Sequence, residues 1–170
     1  MSSERRESRG PGVGSDEFRR ACGRFVTGVT IATTVDAQGL PHGLTVSSFA
    51  AVSLDPPLVL ICLGHEAASL DAFRTASHFG INVLTAGQRE VSEHFARKGH
   101  DRFEGLSWRR GESGVPLLAC VLATMECAVE QRILAGDHDV FIGRMIHAQV
   151  RDGEPLVHYA SRYRRLGPHS

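Results

Sequence analysis

The chain has 170 residues, 42% of them hydrophobic, and its 19 Lys and Arg balance 19 Asp and Glu for a formal charge of zero. That length and apolar content suit one compact domain with a core of its own, and nothing marks a second. Zero net charge removes the electrostatic case for nucleic acid or an anionic membrane as a generic partner.

In chain order, Met1–Gly14 is polar, charged and glycine-rich, and is expected to be a disordered tail ahead of a domain over 15–170. Phe18, Ala21, Cys22, Phe25 and Val26 recur at helical spacing, which predicts an amphipathic helix capped by Ser15 or Asp16 and ended near Gly28. Val29–Val35 and Leu40–Val46 flank Asp36-Ala37-Gln38-Gly39, a hairpin signal. Leu58–Leu63 and Phe79–Leu84 read as two more strands, with a short helix between them that Ser69 is placed to cap and Leu70 and Phe73 to anchor. A further helix is predicted at Arg89–Arg97, packing through Val91 and Phe95, with Gly99 as its stop. From Ala119 to Ile133 the odd positions Val121 to Val129 form an apolar face, while Thr124, Glu126 and Glu130 point to a wetter side. Gly136-Asp137-His138 then turns the chain into a long strand over Val140–Val150, and Asp152-Gly153 marks the next turn.

About six strands with few helices and no βα rhythm argue for a closed or nearly closed antiparallel barrel. The longest apolar run, Leu58–Leu63, is too short to span a bilayer, and no signal-peptide stretch opens the chain, so a cytoplasmic protein is expected. Cys22, Cys62, Cys120 and Cys127 show no CxxC spacing and lie in apolar segments, which predicts buried, reduced thiols and no metal site.

The densest chemistry lies in Thr45-Val46-Ser47-Ser48 and Ser53, four small hydroxyls within nine residues that run through Asp55-Pro56-Pro57 into the Leu58–Leu63 strand. Hydroxyl donors can close on an anion, and the apolar run that contains Cys62 and Leu63 can wall a flat ring. The same residues also read as a polar strand and a proline corner in any β domain. No glycine fingerprint joins a strand to a helix, so a dinucleotide would bind without a Rossmann crossover. Phosphate loops, zinc helices and serine-hydrolase elbows are absent as well.

A series of motifs in order, Arg24-Phe25-Val26-Thr27-Gly28-Val29, Gly43 to Phe49, Val52 to Leu58, Phe79 to Leu84, Phe95 to Lys98 with Arg102-Phe103-Glu104-Gly105, Gly136-Asp137-His138, and Pro155 to Tyr159 with Tyr163, resembles the short-chain flavin reductases of two-component monooxygenases. The resemblance covers roughly residues 18 to 166. It implies a mainly β fold, an antiparallel six-stranded Greek-key split β-barrel with a few short helices, assembled as a homodimer. It implies hydride transfer from NADH to FMN or FAD, with reduced flavin passed to a separate flavin-dependent monooxygenase. The missing Rossmann fingerprint and the lack of an arginine pocket for a 2′-phosphate make NADPH the poorer donor, and the lack of an adenosine site favours FMN.

On this resemblance Thr45, Val46, Ser47, Ser48 and Ser53 hold the flavin, Cys62 and Leu63 wall its ring, and Ser69, Phe95, Ala96, Arg97 and Lys98 lie near the phosphate. Arg97 and Lys98 equally suit a solvated helix end. Phe103 and Tyr163 either close over the flavin or are core aromatics. His138, just after the Gly-Asp turn, orients the nicotinamide as the candidate catalytic group; a turn histidine bonded to its own backbone is the plainer reading. The competing functions are a split-barrel protein that only stores or senses flavin, and an oxidase of the pyridoxamine-phosphate type, whose dense basic phosphate set is missing.

Overall fold

The computed structural model describes residues 12–97, 99 and 101–167. Among them the chain runs α1 (Ser15–Cys22), β1 (Thr27–Gly28), β2 (Thr30–Val35), β3 (Pro41–Val46), β4 (Ala50–Ser53), β5 (Leu58–Gly64), α2 (Leu70–Thr75), β6 (His78–Val83) and α3 (Arg89–Ala96). It continues through β7 (Trp108–Arg110), β8 (Pro116–Leu118), β9 (Ala123–Ala135), β10 (His138–Val150), β11 (Val157–Tyr159) and β12 (Arg162–Arg164). Seven strands form the main sheet in the order β3-β2-β6-β9-β10-β5-β4, beside two ribbons, β1-β11-β12 and β7-β8. Every ladder is antiparallel, so the protein is mainly β with few helices.

The expected barrel of six strands, closed or nearly closed, does not form in its closed version, and the main sheet has seven strands. Its ladder is open, with β3 and β4 at its edges. Where β3 would meet β5, Ser48 intervenes: its Oγ donates to the Cys62 carbonyl at 3.0 Å and accepts the Cys62 N–H at 2.9 Å. One side chain thus satisfies the backbone groups that a closing ladder would have paired. The extra strands are two to four residues long, too short for alternation to show in the sequence.

β2 is buried along five of its six residues, including three threonines. Each threonine hydroxyl donates to a carbonyl, Thr30 to Val46, Thr33 to Pro116 and Thr34 to His78, which lets a polar β-branched strand lie in the interior. Apolar residues on the main sheet, among them Ile61, Phe79, Ile81, Cys127 and Phe141, pack with Leu70 and Phe73 of α2 in one core cluster. Val29, Ile31, Leu84, Phe95, Phe103 and Leu118 form a second beneath α3. Leu70 and Phe73 therefore anchor α2 as predicted, and Phe95 anchors α3.

Several local expectations change. Gly14 occupies the N-cap of α1 and no side chain caps the helix; Ser15 and Asp16 lie inside its first turn. Ser69 stands at the N-cap of α2 but makes no capping bond, because its hydroxyl is used elsewhere. The strand expected from Ala119 begins at Ala123, since Cys120 has φ +58° and breaks the extended run. Glu126, expected to face water, is buried and accepts N–H groups of Glu112 and Ser113 and the Ser113 hydroxyl. Burial pushes its carboxyl pKa up, and those three donors outweigh it, so the net shift is downward. The four cysteines are free, yet Cys22 and Cys120 are exposed and Cys62 half-buried. Only Cys127 fits the expected core thiol, with burial pushing its pKa up to about 12.

Candidate functional site

The hydroxyl segment leaves β3 along the flank of α3. Thr45 Oγ1 donates to the Ser92 carbonyl at 2.6 Å, and Ser48 is committed to Cys62 as described. Val46 and Leu63 are core side chains, Ser47 is exposed, and Ser53 is half-buried on the edge strand β4. Two of the four hydroxyls thus shape the backbone, and Ser47 is the one turned to solvent.

Ser92 itself lay outside the sequence reading, and no motif points to it. It is fully buried on α3, and its Oγ lies 2.8 Å from Tyr163 Oη, so Thr45 and Tyr163 converge on one residue. The Arg89 guanidinium lies 5.3 Å from the Tyr163 ring centroid, which fixes the ring's other side. Phe103 is a core aromatic, edge-on to Phe95 at 5.2 Å and to Trp108 at 5.3 Å. Ala96 and Arg97 end α3 in solvent, and Lys98 lies outside the described residues.

Beside this flank is a groove of about 460 Å³, with Gly43, Ser69 and Arg102 in its wall. Arg102 Nη1 donates to the Gly43 carbonyl at 2.5 Å and to Ser69 Oγ at 2.9 Å, and Ser69 Oγ donates to the same carbonyl at 3.1 Å. No carboxylate pairs with Arg102 among the described residues, and burial pushes its pKa down. A partly desolvated guanidinium without a counter-charge is costly unless an anion completes it, so the groove is suited to a phosphate. Gly43 is required here: a Cβ would come within 2.7 Å of Phe95 Cε1 and 3.3 Å of the Ala32 carbonyl. Arg102 belongs to a motif quoted from the sequence, but the charge role was there given to Arg97 and Lys98.

The Gly-Asp-His turn lies at the C-terminal end of β5. Gly136 has φ +65° and closes the β9–β10 hairpin, and His138 opens β10 opposite Gly64. A Cβ on Gly64 would stand 3.5 Å from His138 Nε2, an ordinary contact distance, so the ring lies directly against this end of the sheet. His138 Nδ1 is 2.8 Å from Asp137 Oδ1, and the side chain remains 47% exposed. With Nδ1 engaged, Nε2 is the nitrogen available to a ligand.

Next to it, Asp139 takes Arg74 Nε at 2.7 Å and Arg74 Nη2 at 3.2 Å, with His65 Nε2 2.9 Å from Oδ1. The His65 N–H donates to the Asp137 carbonyl at 2.9 Å, so the start of β10 is tied to the end of β5 and to α2. Gly64 and Ser69 are five residues apart, so their Cα atoms stand no more than roughly 18 Å apart. The phosphate-suited groove and the His138 rim therefore lie on one connected edge.

The Arg74 guanidinium holds the Asp139 carboxyl below the ordinary carboxylate range, aided by His65 and opposed by burial. A carboxyl with a lower pKa folded than unfolded stabilises the fold above its unfolded value, roughly 4, and loses that contribution as pH falls through the folded value. Urea midpoints of wild type and Asp139→Asn are therefore expected to differ at pH 7 and to converge below about pH 4.

Among the described residues no cluster of three His, Cys, Asp or Glu side chains could hold a metal, and no helix is long and apolar enough to cross a membrane. What the fold and groove define is an antiparallel β protein with an anion-suited groove and a histidine-bearing rim. Residues 22–167 match the flavin reductase like domain, and the chain belongs to that family. It is 44% identical over 145 residues to the FMN reductase (NADH) SmoA of Agrobacterium fabrum, covering 85% of this chain and 82% of that one. It is 44% identical over 128 residues to the stachydrine N-demethylase reductase subunit Stc3 of Rhizobium meliloti, covering 75% of this chain. The chain spans 56% of the length of Stc3, and 41% and 42% of two further relatives. The structure of the Streptomyces globisporus NADH:FAD oxidoreductase SgcE6, in complex with NAD and FAD fragments, superposes with a TM-score of 0.85 at 39% identity, covering 90% of this chain and 93% of that one.

Proposed function

We propose that this protein is an NADH-dependent flavin reductase that reduces FMN or FAD and supplies the reduced flavin to a separate flavin-dependent monooxygenase. The observation that carries the reading is Arg102, a partly buried cation without a carboxylate partner, set beside Ser69 in a groove at the end of the hydroxyl segment. A bound flavin supplies the hydride acceptor at N5. The protein's own task is to position: Arg102 binds the phosphate and Ser69 holds its guanidinium in place, Arg97, two residues before the groove's Gly99, adds charge, and Ser47 donates toward the ring system. Thr45, Ser48, Tyr163 and Ser92 keep the segment in shape. His138 Nε2 orients the nicotinamide, and Asp137 holds the imidazole for that role. Two stacked rings need alignment and exclusion of water more than a strong acid or base. The names of the relatives favour a reductase over a protein that only stores or senses flavin.

The six-stranded Greek-key split barrel is the arrangement proposed within the open seven-stranded sheet, whose two halves meet at the Ser48–Cys62 contact. The working unit is a single domain over 15–170 in the cytoplasm, and a homodimer. Support for the dimer comes from α1, none of whose residues is buried: Phe18 is 59% exposed and Phe25, just beyond it, 77%. Apolar groups of that size left in water indicate a covering surface. Sedimentation is expected to give twice the chain mass for the wild type and a shift toward the monomer for Phe25→Glu; a monomeric wild type contradicts the dimer.

The activity is tested by NADH oxidation at 340 nm in air, without flavin and then with FMN or FAD, and with NADPH in place of NADH. Saturable oxidation that depends on added flavin and prefers NADH is the expected result. Flavin binding without oxidation would favour the storage protein.

A further inference from the structure

A second cavity, of about 220 Å³, lies away from the groove and the His138 rim, between the β7–β8 ribbon, the start of β9 and the end of β10. Its lining holds two arginines, Arg109 and Arg151, and no aspartate or glutamate, in a chain whose total charge is zero. Neither arginine has a carboxylate partner among the described residues. Arg109 Nη2 instead donates to Gln149 Oε1 at 3.0 Å, which holds the guanidinium in place while its charge stays uncompensated. Thr124, only 8% exposed, also lines the cavity, and its hydroxyl makes no hydrogen bond to a described residue. A hydroxyl at the cavity wall that no described group holds is free to bond a ligand there.

Most of the remaining lining is apolar. It includes Trp108, which packs against the core cluster that holds Leu118 and Val121. The frame is rigid: the Ala119 N–H donates to the Ser107 carbonyl at 2.9 Å and the Arg151 N–H to the Leu122 carbonyl at 2.7 Å. Between those two bonds Cys120 is held at φ +58°, a conformation that non-glycine residues rarely take and that gathers at ligand sites.

We infer that this cavity is a second ligand site, built for a small aromatic carboxylate whose ring lies on Trp108 and whose charge is met by Arg109 and Arg151. The volume limits the ligand to about one ring with a short substituent, below the usual range of drug-sized pockets. The two cations and the Thr124 hydroxyl select a carboxylate over a neutral ring, and the apolar wall selects a ring over a bare anion.

Trp108 is the chain's single tryptophan, so its fluorescence reads the site directly. Titration of the full-length protein with benzoate is expected to change that fluorescence saturably, with benzamide and acetate each at least about tenfold weaker. Arg109→Ala and Arg151→Ala are each expected to weaken benzoate about tenfold, as loss of one charged hydrogen bond does, and the double variant to abolish saturation. Equilibrium dialysis with radiolabelled benzoate repeats the comparison without an optical reporter. Flavin-dependent NADH oxidation by Arg151→Ala is expected to match the wild type, which separates this site from the groove and shows the variant folded. No saturable binding by either method, equal affinity for acetate or inorganic phosphate, or undiminished binding in the double variant would overturn the assignment.

Discussion

Replacing Arg102 with alanine is expected to raise the Michaelis constant for FMN about 10- to 100-fold, while that for NADH changes by less than about twofold. The size follows from a charge-assisted hydrogen bond, about 1.5–3 kcal/mol, read at 1.4 kcal/mol per tenfold. Arg102 Nη1 is occupied by the Gly43 carbonyl and Ser69 Oγ, so the guanidinium is already aimed when a phosphate arrives. Little ordering remains to be done on binding, and the loss on truncation is correspondingly large. Riboflavin, which has no phosphate, separates the charge role from a structural one: its Michaelis constant is expected to stay near the wild-type value in Arg102→Ala. Arg102→Lys keeps the charge without the fork and is expected to fall between the two. If Arg102→Ala leaves the FMN constant unchanged, or worsens riboflavin as much as FMN, the groove is not the phosphate site.

The second large effect is expected at His138. His138→Ala is predicted to raise the Michaelis constant for NADH, or lower turnover, by about tenfold, with flavin affinity nearly unchanged. The imidazole is held at Nδ1 by Asp137 and lies against the sheet where Gly64 offers no side chain. With Nδ1 bonded, Nε2 is the nitrogen left for a ligand, and the substitution leaves the phosphate groove, five residues along from Gly64, untouched. Flavin affinity is measured by quenching of flavin fluorescence and NADH kinetics at saturating flavin. Loss of flavin binding with normal NADH kinetics would remove His138 from the nicotinamide side.

Much of the scaffold was legible where apolar residues recur at a fixed period or form a short continuous run. The β2–β3 hairpin, β5, β6, α2 and α3 follow from such patterns, and the Asp36-Ala37-Gln38-Gly39 turn closes as its composition implies, with Asp36 Oδ1 accepting the Gln38 and Leu40 N–H groups. The pattern misled at Glu126, because alternation reports which residues share a face and says nothing of a loop folding over that face. Residues 111–113 cover it and supply the hydrogen bonds that make burial tolerable. Alternation also failed at Cys120, where one positive φ ends a strand that side-chain polarity would have continued. The helix expected to run to near Gly28 stops at Cys22, which leaves Phe25 and Val26 beyond it, and Phe18 faces outward, since periodicity cannot say whether the partner surface belongs to the same chain.

At the site, sequence located the hydroxyl segment and the Gly-Asp-His turn, but it could not divide the work among them. Thr45 and Ser48 carry the right chemistry and use it on carbonyls 47 and 14 positions away in the chain. Arg102 and Ser69 meet across 33 positions, and no spacing rule connects them. Ser92 is a single serine in a helix, made important only by what converges on it. Groups like these become visible only once the fold has brought them together.

The proposed reaction of this chain is transfer of a hydride from NADH to a flavin held by its phosphate. Anaerobic bleaching of flavin absorbance at 450 nm tests it most directly, with catalytic enzyme, excess NADH, and FMN or riboflavin varied over the saturating range. The prediction is rapid, complete bleaching of FMN, with riboflavin reduced at a comparable limiting rate but a Michaelis constant at least about tenfold higher. FMN that binds and stays oxidised in the presence of NADH would contradict it.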